Sequence, residues 1–105
     1  CVVDFNDQQA DGPTTQALAK GDEAPKWAAF GWHAQEVDGN DLDALVAAFD
    51  TARNLTDPRP RVIICKTQMC KGVPFLEDRE ITHFVRVDPS EWARAIAILD
   101  DAIPA

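Results

Sequence analysis

The apolar positions of the chain fall into short runs separated by polar stretches that carry Gly, Pro, Asn and Asp. Cys1-Val2-Val3-Asp4-Phe5 has the β-branched, buried-type residues of a short strand. It breaks at once into a polar loop, Asn6 to Thr15, containing the breaker pair Gly12-Pro13. Thr14 or Thr15 is placed to cap a helical turn running through Leu18. After the punctuation of Gly21 and Pro25, Lys26 to Phe30 predicts a short helix ended by Gly31. The imperfect alternation of Trp32 to Val37 predicts a second strand.

Asp38-Gly39-Asn40-Asp41 reads as a turn into a helix, with Asn40 as its N-cap and Asp41 and Asp43 at the positive end of the helix dipole. Leu42, Leu45, Val46 and Phe49 then recur at helical spacing, which predicts one shared buried face and a helix ending near Arg53. Asn54 to Pro60 is a polar linker, and Arg61-Val62-Ile63-Ile64-Cys65-Lys66-Thr67 predicts a strand buried on both faces. Gln68 to Val87 lacks a clean period and holds Gly72 and Pro74, so it is expected to be a long ordered loop. Asp88-Pro89-Ser90-Glu91 combines a capping side chain, Pro at the first helical position and an acid three residues after the cap. Trp92, Ile96, Leu99 and Ile103 form the expected buried stripe of the closing helix.

Strand, helix, strand, helix, strand, loop, helix is the order of an α/β domain with a mainly parallel sheet and flanking helices. Ligands of such sheets sit beyond the carboxyl ends of strands. Asn6 to Gly12 and Thr67 to Gly72 follow strands in that way, and the first offers side-chain and carbonyl oxygens suited to a hard cation.

Composition narrows the picture. With 105 residues and 46% hydrophobic content the chain accommodates one core. A formal net charge of −8, from 18 acidic and 10 basic residues without a basic run, argues against a grip on nucleic acid. No apolar run approaches the ~20 residues of a membrane-spanning helix, and no basic-then-apolar signal segment opens the chain. Cys1, Cys65 and Cys70 make an odd number without scaffold spacing, so free thiols and a cytoplasmic setting are expected. The chain opens on Cys1 with no turn or cap before its strand, and a parallel strand needs neighbours. The expectation is therefore that residues 1–105 are the C-terminal part of a larger domain, completed by an upstream segment or a partner chain.

Other polar residues carry weaker signals. Cys65, Cys70 and His83 match no closed zinc pattern. His33, at the start of a strand beside Trp32, reads as structural, and Glu77, Asp78, Arg79 and Glu80 read as a solvated loop surface. Lys71 beside Cys70 is thin support for a reactive thiol.

Five segments together resemble the transketolase family: Val3-Asp4-Phe5-Asn6-Asp7-Gln8-Gln9-Ala10-Asp11-Gly12-Pro13-Thr14, Trp27-Ala28-Ala29-Phe30-Gly31-Trp32, Val37-Asp38-Gly39-Asn40-Asp41-Leu42, Ile63-Ile64-Cys65-Lys66-Thr67, and Glu77-Asp78-Arg79-Glu80 with His83. The similarity covers nearly the whole chain and corresponds to the second half of the N-terminal diphosphate-binding domain. It implies an incomplete thiamine-diphosphate-binding fold. In the family a Gly-Asp-Gly motif and a later Asn hold Mg²⁺ and the diphosphate of thiamine diphosphate. The resemblance makes Asn6 that Asn, with Gln8 supplying a backbone carbonyl to the metal. It puts Ala10 and Met69 against the cofactor rings. It also gives His83 a catalytic place, at the diphosphate and the reacting substrate. Two departures stand out: Cys70 occupies a position where Gly is typical, and His83 is flanked by Thr82 and Phe84 where the family reads Trp-His-Gly.

The resemblance implies part of an enzyme moving a two-carbon ketol unit from a ketose to an aldose. Gly-Asp-Gly is absent from the sequence. A chain or segment carrying it, a pyrimidine-binding domain or subunit supplying an activating Glu, and a small sugar or sugar-phosphate substrate are the implied partners. Two alternatives stay open: another thiamine-diphosphate enzyme, such as the decarboxylating component of a 2-oxo acid dehydrogenase, and a non-catalytic interaction module that keeps the fold.

Overall fold

A computed structural model of the chain describes residues 1–18, 20–80, 82–84 and 86–103. Its centre is a three-stranded parallel sheet of β1 (Val2–Phe5), β5 (Arg61–Lys66) and β4 (His33–Asp38), in the order β1-β5-β4. The α/β architecture with flanking helices expected from the pattern is thus observed. A two-stranded antiparallel hairpin, β2 (Gln8–Gln9) and β3 (Gly12–Pro13), interrupts the stretch read as plain loop.

β5 is central, and its burial follows from that position. Ile63 and Cys65 face α3 (Leu42–Asn54), where they pack with Ala48, while Val62 and Ile64 turn to the opposite face and are wholly buried. Desolvation in this core, with the Asp4 carboxylate adding to it, pushes the Cys65 thiol up, so it remains a protonated packing group. β1 pairs on one side only, and its alternating exposure, with Val2 half exposed, corrects the expectation of a buried strand. An edge strand leaves part of each face uncovered.

The helices begin and end for local reasons. α1 (Thr14–Ala17) is a single turn after Pro13, and α2 (Glu23–Ala29) starts earlier than its periodicity suggested and stops at Gly31, whose φ of 82° few other residues adopt. α3 is capped by Asp41, not Asn40: the Asp41 carboxylate accepts from the backbone N–H of Asp43 at 2.9 Å and Ala44 at 3.0 Å. α5 (Pro89–Ala102) has the full capping box expected of it, with Asp88 accepting from Glu91 N–H and Glu91 accepting from Asp88 N–H. Between β5 and α5 lies a four-residue helix, α4 (Pro74–Glu77), in a stretch expected to be loop throughout. Ile81 and Val85 of that stretch lie outside the described residues. Val73 and Leu76 pack there on Ala95 of α5, making a second small core.

The large apolar rows of both long helices are exposed, which corrects a second expectation. Leu42, Val46 and Phe49 on α3 are 77, 60 and 49% exposed, and Trp92, Ile96 and Leu99 on α5, with Ile103 just past its end, are likewise open. The sheet is met by the neighbouring α3 row Leu45, Ala48 and Ala52, whose smaller side chains permit a close approach. The molecule is a slab of 51 × 39 × 14 Å, too thin for a further layer over those rows. Its radius of gyration is 16.8 Å, against about 13 Å for a compact domain of 100 residues. Among the described residues, no helix is long and apolar enough to cross a membrane.

Candidate functional site at the carboxyl ends of the strands

Strand register brings three loops to one end of the sheet. Phe5, Lys66 and Asp38 are level, so the segments after β1, β5 and β4 emerge side by side. The β1–β5 pairing continues past the strands through Thr67 N–H to the Phe5 carbonyl at 3.1 Å, and the Thr67 hydroxyl donates to the Asp4 carboxylate. Lys66 lies over the Phe5 ring at 4.2 Å and pairs with Glu36 at 3.5 Å.

The loop after β1 is built by Asn6. Its side-chain oxygen accepts from Gln8 N–H at 3.0 Å, an Asx-type turn that leaves that oxygen a second lone pair. Asp7 follows in the left-handed region at φ 57°, and its carbonyl accepts from Thr14 N–H at 2.8 Å across the hairpin. Antiparallel pairing alternates, so the next residue, Gln8, opposite Pro13, turns its backbone carbonyl away from β3. Ala10 sits exposed at the hairpin turn.

The loop after β5 is clamped by the turn after β4. Gly39 N–H donates to the Lys66 carbonyl at 2.7 Å, and Asn40, released from capping by Asp41, accepts from Gln68 N–H at 2.7 Å. A Cβ on Gly39 would lie 2.5 Å from Thr67 Cγ2 and 2.9 Å from Cys65 Cβ, so only Gly permits this approach. An open cleft of about 490 Å³ lies here, lined by Asp38, Asn40, Lys66, Thr67, Gln68 and Lys71. Cys70 adopts φ 58°, the left-handed conformation that suits the Gly typical of its position.

Gln8, Met69 and the segment bearing His83 meet at one point. The Gln8 side-chain oxygen accepts from Thr82 N–H at 3.1 Å and from the Thr82 hydroxyl at 2.6 Å, and Met69 Sδ lies 3.2 Å from that hydroxyl. Thr82 is buried, whereas His83 is exposed and packs edge-on against Phe84 with ring centroids 4.8 Å apart. Nor are Glu77 and Arg79 of the preceding loop merely solvated. Glu77 accepts from Gly72 N–H at 2.7 Å, and Arg79 pairs with Glu91 at the start of α5.

Gly39, Asn40 and Thr82 carry site geometry that their local sequence does not announce. The Asp-Gly-Asn-Asp string signalled a turn, but its use as a clamp depends on Gln68, 28 residues away. Thr82 pairs with a residue 74 positions distant.

A family model for the thiamine diphosphate binding domain of transketolase matches residues 1–96. A transketolase family protein of Sinorhizobium fredii is 57% identical over 104 residues, 99% of this chain and 37% of that protein. A 6-deoxy-6-sulfo-D-fructose transketolase subunit of a Clostridium species is 33% identical over 93% of this chain and 35% of its own length. An apulose-4-phosphate transketolase subunit of Phocaeicola vulgatus is 28% identical over 97% of this chain and 36% of its own. The chain spans about a third of the length of these curated relatives. It belongs to the transketolase family, in the thiamine diphosphate binding domain.

Proposed function

We propose that this chain supplies the Asn-closing half of a thiamine diphosphate and Mg²⁺ site, in an enzyme that transfers a two-carbon ketol unit from a ketose to an aldose. The observation that carries the reading is the loop after β1. There the Asn6 side-chain oxygen keeps a free lone pair, and the Gln8 carbonyl turns out of its hairpin, at the same end of the sheet as the β5 loop.

The donor set fits the metal. Mg²⁺ takes few protein oxygens and completes an octahedron with phosphate and water. Asn6 and Gln8 offer two hard neutral oxygens, and among the described residues no cluster of three His, Cys, Asp or Glu forms a site by itself. Further charge must come from the cofactor's diphosphate and from a carboxylate on a Gly-Asp-Gly segment elsewhere in the assembly. Bound thiamine diphosphate supplies the carbanion chemistry that breaks and forms the carbon–carbon bond.

This chain's own residues bind and orient. Asn6 and Gln8 hold the metal, and Ala10 and Met69 pack against the cofactor rings, Met69 through soft sulfur contact. His83 donates a hydrogen bond near the diphosphate and the substrate and assists proton transfer there. A pyrimidine-binding domain or subunit provides the activating Glu. Partner subunits accord with the naming of two relatives as transketolase subunits. The substrate is a small sugar or sugar phosphate, and the setting is cytoplasmic.

The test is an assay of the assembled protein for ketol transfer from a ketose phosphate beside carbon dioxide release from pyruvate. Transfer without release supports the reading. Release without transfer assigns the chain to a decarboxylating enzyme, and neither, with no cofactor bound, to an interaction module.

A further inference from the structure

Thr82 and Phe84 replace the residues that usually flank the histidine in this family, and the structure gives the first replacement a task. Thr82 is 4% exposed and gives both of its donors, backbone N–H and hydroxyl, to one acceptor, the Gln8 side-chain oxygen. Because a backbone N–H can only donate, the Gln8 amide must present its oxygen and not its nitrogen, and both of that oxygen's lone pairs are then used. The hydroxyl has a single proton, which goes to the stronger acceptor at 2.6 Å, leaving Met69 Sδ packed against it.

Among the described residues, His83 has no comparable anchor of its own. Its described side-chain contact is the edge-on Phe84 ring, and among the described residues no hydrogen bond reaches its imidazole. Its place is therefore set through the backbone by the residue before it. Gln8 carries two separate functions on one residue: a backbone carbonyl facing out of the hairpin, and a side chain reaching the Thr82 segment.

We propose that Thr82 and the Gln8 side chain form a latch that positions His83 against the loop of Asn6 and Gln8, coupling the metal-binding loop to the histidine. Both are positioning residues, since each acts through the place it gives His83. The inference rests on the proposed roles of His83 and the Asn6–Gln8 loop, but its geometry can be read without the cofactor.

Thr82→Val removes the hydroxyl at nearly constant shape, Gln8→Leu removes the acceptor and keeps the backbone carbonyl, and Thr82→Ser keeps the hydroxyl. The first readout is NMR of the His83 imidazole in cofactor-free assembled protein, assigned against His33, the second of the two histidines. With the Phe84 ring edge-on at 4.8 Å, the His83 signal of the wild type is expected to be displaced from its ordinary position. Thr82→Val, which keeps the backbone N–H bond, is expected to reduce that displacement, Gln8→Leu, which removes both bonds, to collapse it, the double variant to do no more than Gln8→Leu alone, and Thr82→Ser to retain it. The second readout is turnover in the loaded assembly, expected to fall about five- to tenfold in each single variant, the range that one hydrogen bond supports. An unmoved His83 signal, or effects of the two substitutions that add, overturns the latch. Absence of thiamine diphosphate binding in the wild type overturns the proposed function instead and leaves the NMR arm to decide the latch.

Discussion

Gly39→Ala tests the clamp that holds the β5 loop at the site. The new Cβ would stand 2.5 Å from Thr67 Cγ2, 2.9 Å from Cys65 Cβ and 3.2 Å from the Cys65 carbonyl carbon. Carbon atoms pack at about 3.5–4.0 Å, so the gap must open by about 1 Å. Neither neighbour yields easily. Cys65 is buried in the central strand, and Thr67 is tied through its hydroxyl to Asp4. Keeping the turn in place costs the about 1–3 kcal/mol of an overpacked core. Lifting it gives up the bonds from Gly39 N–H to Lys66 and from Gln68 N–H to Asn40, both 2.7 Å, each worth about 1 kcal/mol net. The two routes together put the expected loss at about 1–3 kcal/mol. Urea unfolding of the assembled protein, with an unchanged slope, measures it. Asn40→Ala, which removes one bond without a clash, sets the reference at about 1 kcal/mol. A Gly39→Ala protein within about 0.5 kcal/mol of the wild type, the scatter of ordinary surface substitutions, would refute the close approach.

Asp41→Ala should destabilise α3 by about 0.5–2 kcal/mol, whereas Asn40→Ala leaves the helix end capped; circular dichroism during denaturation separates them, and equal effects on helicity would return the cap to Asn40. The Ser90 hydroxyl and the Glu91 N–H hold the Asp88 carboxyl below its usual range. The resulting stabilisation of α5 is present above the ordinary Asp value of about 3.9 and lost as pH falls through the lower folded value. Protection of the Ser90 and Glu91 amides against exchange, relative to the unfolded chain at the same pH, should therefore fall on acidification below that point, and an Asp88→Asn protein with the same pH response would show that another group is responsible. Arg79→Ala should loosen the stretch before Thr82, because its partner Glu91 belongs to the capping box of α5; the change is expected as faster exchange at Thr82 N–H with α5 itself intact.

How far the sequence foretold the structure differs from one part to another, for physical reasons. β4, its turn, α3 and β5 were legible because periodicity, a turn string and a β-branched run each point the same way. The sequence points to Asn40 as readily as to Asp41 for the cap because Asn and Asp are equal capping residues and stand side by side; in the structure Asn40 accepts from Gln68 N–H and Asp41 caps the helix. The rows Leu42-Val46-Phe49 and Trp92-Ile96-Leu99-Ile103 show the true helical period, yet period alone does not say what covers a face. In a slab 14 Å thin the smaller residues Ala48 and Ala95 make the contact instead. The proposed site residues Asn6, Gln8, Ala10, Met69 and His83 come from resemblance to a family. Thr82 does not, since it departs from that family's pattern and its partner is distant in sequence.

The central claim is that Asn6 closes a thiamine diphosphate and Mg²⁺ site, and calorimetric titration of the assembled protein tests it most directly. The wild type should bind thiamine diphosphate when Mg²⁺ is present and far less when it is chelated. Asn6→Ala should weaken binding by about 10–100-fold, at least the loss seen when groups supporting a metal ligand are removed. Equal affinity in wild type and Asn6→Ala, or binding indifferent to Mg²⁺, would contradict the account.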